Sequence, residues 1–71
     1  MRKEDAYMVK VNGEERDVAG MSVEAFLSQE KYTAGRVVVE KNMEIVPKTA
    51  YASTKMEDGD EIEIVSFVGG G

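Results

Sequence analysis

A chain of 71 residues with neither cysteine nor histidine has no staple to hold it together. Disulfides and thiolate metal sites are excluded, and the lack of histidine argues against a zinc site. Chains shorter than about 80 residues often lean on such devices, because one this small buries only about 60% of its unfolded surface. The route left is one compact, regular domain whose apolar side chains converge on a single core. Its strands and helices must therefore be strongly patterned.

Tyr7, Val9 and Val11 alternate with Met8 and Lys10, the period of a half-buried strand. Asn12-Gly13 follows, and both residues accept the positive φ of a type I′ turn, so residues 14–18 are expected to return as the second strand of a hairpin. The polar content there (Glu14, Glu15, Arg16, Asp17) puts that strand on a solvated face or at an edge. Ser22 stands where a helix N-cap belongs, with Glu24 in the first turn and Val23, Phe26 and Leu27 at helical spacing. The spacing predicts a short helix over 23–31, with Gly35 closing the connection that follows.

Residues 36–40 (Arg-Val-Val-Val-Glu) form a β-branched run, expected as a strand buried on both faces or nearly so. Lys41-Asn42-Met43 turns the chain into Glu44-Ile45-Val46, a brief strand that Pro47 ends or confines to an edge. Residues 48–55 hold no sustained period and read as an irregular or single-turn crossing. Asp58-Gly59 is a tight turn into the last strand, residues 60–68.

In that strand Ile62 and Ile64 point one way, and Glu61 and Glu63 the other. Strict alternation places Val65 and Phe67 on the side of the glutamates, which is the wet side. A β-bulge would instead return one of them to the core. The order hairpin, helix, strand, short strand, strand gives an α+β fold, with a mixed four- to five-stranded sheet and one helix on its concave face. That arrangement is the β-grasp, or ubiquitin-like, roll. The expected limits are a disordered charged leader at 1–6, the folded domain at 7–68 and a flexible glycine tail at 69–71.

The formal charge is −5, from fourteen acidic and nine basic residues. That balance disfavours nucleic acid and anionic membranes as partners. It suits a protein with a basic docking face, or simply solubility. The sequence has no run long enough to span a membrane and no apolar signal core, and its lack of cysteine fits a cytoplasmic location. An enzyme finds no machinery here. The carboxylates sit on turns and solvated faces, Ser-His and Cys-His pairs are impossible, and Asn12-Gly13 and Asp58-Gly59 read as turns rather than phosphate loops. The five methionines are expected in the core or the leader.

Gly69-Gly70-Gly71 follow the last strand directly. Terminal fraying or a cloning remnant is one reading. The other is a flexible arm, Gly69 and Gly70, that threads a narrow channel and presents the Gly71 carboxylate to another protein's chemistry. A carboxylate becomes an acyl donor only after activation by ATP to an acyl-adenylate, in a site closed against water. Ordering the arm costs roughly 1–2 kcal/mol per residue, which contacts of the folded body at Val65, Phe67 and Val68 would offset.

Several segments resemble the ThiS-type sulfur carriers of thiamine biosynthesis. Val9-Lys10-Val11-Asn12-Gly13-Glu14 is similar to their opening strand and turn, and Ser22-Val23-Glu24-Ala25-Phe26-Leu27 to their helix start. Val37-Val38-Val39-Glu40-Lys41-Asn42 with Glu44-Ile45-Val46-Pro47-Lys48 resembles the central segment. Asp58-Gly59-Asp60-Glu61-Ile62-Glu63-Ile64 and Phe67-Val68-Gly69-Gly70-Gly71 resemble the last strand and tail. Molybdopterin-synthase small subunits share the Asp-Gly-Asp and the terminal diglycine. The stretch from Asn42 to Lys48 brings the likeness nearer to ThiS, while the charged leader before Met8 departs from the pattern.

The resemblance implies adenylation of Gly71 by a ThiF-like enzyme using ATP, conversion to a thiocarboxylate by a sulfur-relay protein, and sulfur transfer to thiazole synthase. By this analogy the chain binds no cofactor or metal and has no catalytic residues of its own. The competing expectations are a different acceptor, such as molybdopterin synthase, or attachment through Gly71 as a ubiquitin-like modifier.

Overall fold

The computed structural model describes residues 8–67. The leader at 1–6, Tyr7, Val68 and the glycine tail at 69–71 lie outside the described residues.

Five strands and one helix follow in the order β1 (Val9–Val11), β2 (Glu14–Arg16), α1 (Val23–Gln29), β3 (Val37–Lys41), β4 (Glu44–Val46) and β5 (Glu61–Ser66). Short 3₁₀ turns occupy Ala34–Arg36 and Lys48–Ala50. The sheet order is β2-β1-β5-β3-β4. β1 and β5 pair parallel, with Lys10 opposite Glu61 and Val11 opposite Ile62, and every other pairing is antiparallel. β2 and β3 therefore run the same way with two strands between them, and α1 is the crossover that joins them. The sheet and the single helix make the β-grasp roll expected from the sequence, with all five strands present.

The core is apolar throughout. Phe26, Leu27 and Val23 from the helix meet Val9, Val11, Val37, Val39, Ile62 and Ile64 from the sheet, while Met56 and Tyr51 close the layer from the long β4–β5 connection. Among the described residues no polar or charged side chain is buried. That connection is therefore no idle loop: Ser22 and Lys55 form an isolated antiparallel bridge that ties it to the start of the helix.

Three local expectations are corrected. β3 is not buried on both faces: Val37 and Val39 face the core, but Val38 is 38% exposed. α1 covers only one face of the sheet, and among the described residues nothing covers the other. β2 stops at Arg16, so Val18 reaches the core from outside the strand. The helix ends at Gln29 instead of Lys31.

The helix ends explain themselves. Ser22 is extended and its hydroxyl oxygen accepts the Ala25 N–H at 3.0 Å, satisfying one of the free donors of the first turn. At the other end Lys31 enters the left-handed region with φ 66°. Its N–H donates to the Ser28 carbonyl, and the Tyr32 N–H to the Leu27 carbonyl, the paired bonds of a Schellman cap. Glycine is the residue this position favours, because a Cβ is strained there. Lys31→Gly should stabilise the fold by about 0.5–1 kcal/mol, a gain of several degrees in melting temperature by circular dichroism. An unchanged or lower melting temperature would show that the lysine side chain compensates elsewhere.

Candidate functional site

β5 carries the residues singled out from the sequence, and its neighbours hold it in one register. Val39 lies opposite Ile64, Val38 opposite Val65 and Val37 opposite Ser66, without a bulge. The pairing continues one step further, where the Phe67 N–H donates to the Arg36 carbonyl at 3.0 Å. Alternation therefore runs unbroken. Ile62 and Ile64 enter the core, while Val65 and Phe67 stay outside at 60% and 46% exposure.

Two asparagines at hairpin turns fasten this strand at its two ends. Asn42, with φ 52°, donates its N–H to the Glu61 carbonyl at 2.8 Å and accepts the Glu61 N–H on Oδ1 at 2.9 Å. Its Nδ2 donates to the Asp60 carboxylate at 3.0 Å. Asn12, with φ 51°, grips further along: its Oδ1 accepts the Ile64 N–H at 2.8 Å and its Nδ2 donates to the Ile64 carbonyl at 3.2 Å.

Asp60 is the hub of the first clamp. Partial burial acts to raise its pKa, but hydrogen bonds from Asn42 and the Glu57 N–H, with Lys41 nearby at 3.5 Å, outweigh burial and hold it below the usual aspartate value. A depressed carboxylate stabilises the fold at neutral pH and loses that effect only as pH falls below the ordinary aspartate value of about 3.9.

The outer face of the sheet beside the end of β5 is more apolar than the sequence suggested. Val38 stands directly across from Val65, and Ile45 on β4 is diagonal to Val38 and 67% exposed. With Phe67 they form a small exposed apolar surface. Glu40 and Glu63, directly opposite one another, border it. Such a surface rimmed by acids suits a partner that brings apolar side chains and basic groups.

Val38 and Ile45 were not singled out from the sequence. For Val38 a signal existed: it shares its parity with Arg36 and Glu40, which belong in water. For Ile45 the three-residue strand gave no comparable pattern. Val65 and Phe67 are brought together with this surface, whereas Val68, Gly69, Gly70 and Gly71 lie outside the described residues.

Among the described residues no other feature competes as a site. A concavity of about 640 Å³ opens between α1 and the turn at Lys48–Ala50, and its charged lining groups are Glu24 and Lys48. Among the described residues there is no cluster of three or more potential metal ligands, and no helix is long and apolar enough to cross a membrane.

Comparison with known proteins agrees with this geometry. A thiamine biosynthesis protein, ThiS, from Geobacter metallireducens has a solved structure that superposes with a TM-score of 0.75 at 35% identity, covering 90% of this chain and 99% of that one. A thiazole synthase of Paramagnetospirillum magneticum is 52% identical over 62 residues, which is 86% of this chain but only 19% of that protein's length. The sulfur carrier protein ThiS of Bacillus subtilis is 54% identical over 35 residues, 49% of this chain and 53% of that protein. The family model of the ThiS family matches residues 9–71, which takes in every strand, the helix and the glycine segment. The chain belongs to the ThiS family.

Proposed function

We propose that the chain is a sulfur carrier of thiamine biosynthesis, a recyclable co-substrate rather than an enzyme. The family match over residues 9–71 carries this reading, because it includes Gly69 to Gly71 together with the fold that presents them. A ThiF-like adenylating enzyme joins the Gly71 carboxylate to the α-phosphate of ATP and releases pyrophosphate. Hydrosulfide delivered by a relay protein then attacks the acyl carbon; the C–S bond forms as the C–O bond to AMP breaks, leaving sulfur in place of one carboxylate oxygen. Thiazole synthase is the acceptor, a choice supported by the thiazole synthase that contains a stretch similar to this chain.

Gly69 and Gly70 serve as the arm, since residues without Cβ adopt whatever backbone conformation a closed site imposes. Val65, Phe67 and Val68 make the grip beside it. The acid-rich surroundings favour a basic partner surface over nucleic acid or an anionic membrane.

Intact mass spectrometry tests this directly. After incubation with the adenylating enzyme, ATP and a sulfur source, the 71-residue chain should gain the mass of one oxygen-to-sulfur exchange, mapped to Gly71. Unchanged mass, or isopeptide conjugates to lysine, would overturn it. The grip has its own test. Phe67→Ala should raise the KM of the adenylating enzyme for the carrier about tenfold, as expected for an aromatic docking anchor. Its stability should change by no more than about 0.5 kcal/mol, because the ring is half exposed. An unaltered KM would remove Phe67 from the interface.

A further inference from the structure

We propose that Asn12 is a positioning residue, whose side chain fixes the outer end of β5 and so sets how Val65 and Phe67 are offered to a partner. The inference rests on the carrier reading only where a partner enzyme is used to test it.

The argument starts from a mismatch in strand length. β1 ends at Val11, whereas β5 runs on to Ser66. Even-numbered residues in and just before β5 turn their backbone groups toward β1: the Asp60 carbonyl accepts from Lys10 N–H at 2.9 Å, and the Ile62 carbonyl from Asn12 N–H at 2.9 Å. The next residue on that side is Ile64, and β1 has no strand residue left to meet it. The Asn12 carboxamide fills the gap, accepting the Ile64 N–H and donating to the Ile64 carbonyl. One side chain thus stands in for a peptide group and extends the parallel ladder by a step.

The chemistry selects asparagine. The turn needs a residue that tolerates φ near 51°, which glycine, asparagine and aspartate do. Of these, glycine has no side-chain partner to offer. Aspartate can accept the Ile64 N–H but would set a negative charge against the Ile64 carbonyl. Only the carboxamide supplies one acceptor and one donor at this reach. Beyond Ile64 the described contacts of β5 are with β3 alone, ending at the bond from Phe67 to Arg36. The clamp is therefore the last hold on the β1 side before the docking residues.

Asn12→Gly keeps the turn and deletes the carboxamide, while Asn12→Asp keeps the acceptor. Amide hydrogen exchange and adenylation kinetics of both variants read the effect. In Asn12→Gly, exchange at Ile64 and at Phe67 should accelerate about tenfold relative to the Glu40 amide within β3. Phe67 matters most, because its own hydrogen bond lies on the other edge of the strand and is not touched by the substitution. The KM of the adenylating enzyme for the carrier should rise about three- to tenfold with kcat unchanged, since a looser docking end must be ordered on binding. Asn12→Asp should recover part of the protection at Ile64.

Acceleration confined to Ile64 with an unaltered KM would overturn the proposal, and so would a uniform rise at all three amides. If Asn12→Gly does not fold, Asn12→Asp is read by the same criteria. If the unsubstituted chain is never adenylated, the carrier reading fails by itself, and the exchange at Phe67 still decides the role of Asn12.

Discussion

Phe26→Ala is expected to leave the chain largely unfolded at physiological temperature. The ring is 1% exposed at the centre of the only core among the described residues, and it is the bulkiest of the fully buried side chains. Truncating a buried phenylalanine costs about 3–5 kcal/mol, from lost transfer energy and from the cavity left behind. A domain of this size has roughly 3–5 kcal/mol to lose, and without cysteine it has no disulfide in reserve. The two quantities are equal within their spread, so the substitution removes most or all of the stability. Phe26 also supports the edge: the Arg16 guanidinium lies 5.4 Å from its ring centre and reaches on to Glu30 at 2.9 Å, tying β2 to the helix. Circular dichroism melts decide the matter. A cooperative transition within about 10 °C of the parent chain would show that the core re-packs around the gap.

How much of this could be read in advance depended on how local each determinant is. Ile62 and Ile64 against Glu61 and Glu63 is a short-range pattern, and it correctly assigned both faces of β5. Ser22 and Glu24 marked the helix start for the same reason, since a cap is completed within three residues. The run of three valines misled, because β-branched density was given more weight than the parity Val38 shares with Arg36 and Glu40. The helix end was obscured by Lys31, a residue that does not advertise a left-handed conformation. The asparagine clamps were out of reach altogether. Asn12 and Ile64 are 52 residues apart, and Asn-Gly already had a sufficient local explanation as a turn. Ile45 was missed because three residues show no clear alternation: it lies on the outer face opposite Glu40, while Val46 beside it is buried opposite Val39.

These contacts also show how labour is divided in the molecule. Both hairpin turns serve β5 as well as their own strands, so β5 is secured from both sides. It lies between β1 and β3, is fastened by Asn42 at its start and by Asn12 near its end, and sends two isoleucines into the core. A carrier benefits from this. In the carrier reading proposed above, the partner must find the reacting end of the chain at a fixed distance from the surface it grips.

That requirement gives the largest functional effect. Deleting Gly71 is expected to abolish thiocarboxylate formation while leaving the fold unchanged. β5 ends at Ser66, and among the described residues the core draws on nothing after Ile64, so the melting temperature should not move. Activity should, because removing one residue pulls the carboxylate back by up to about 3.3–3.6 Å. Reacting groups must meet at about 3–3.5 Å, and a misplacement of only about 1 Å can cost on the order of a hundredfold. The arm cannot stretch to compensate if the docking residues at Val65 and Phe67 are already seated. Adding one residue after Gly71 should be as damaging for the converse reason, since the new carboxylate overshoots and carries a Cβ into the channel. Intact mass after the full reaction reads both variants. Sulfur incorporation at anything near the parent rate in either of them would mean that the reacting carboxylate is not measured from the grip on β5, and the assignment of Gly71 would fall.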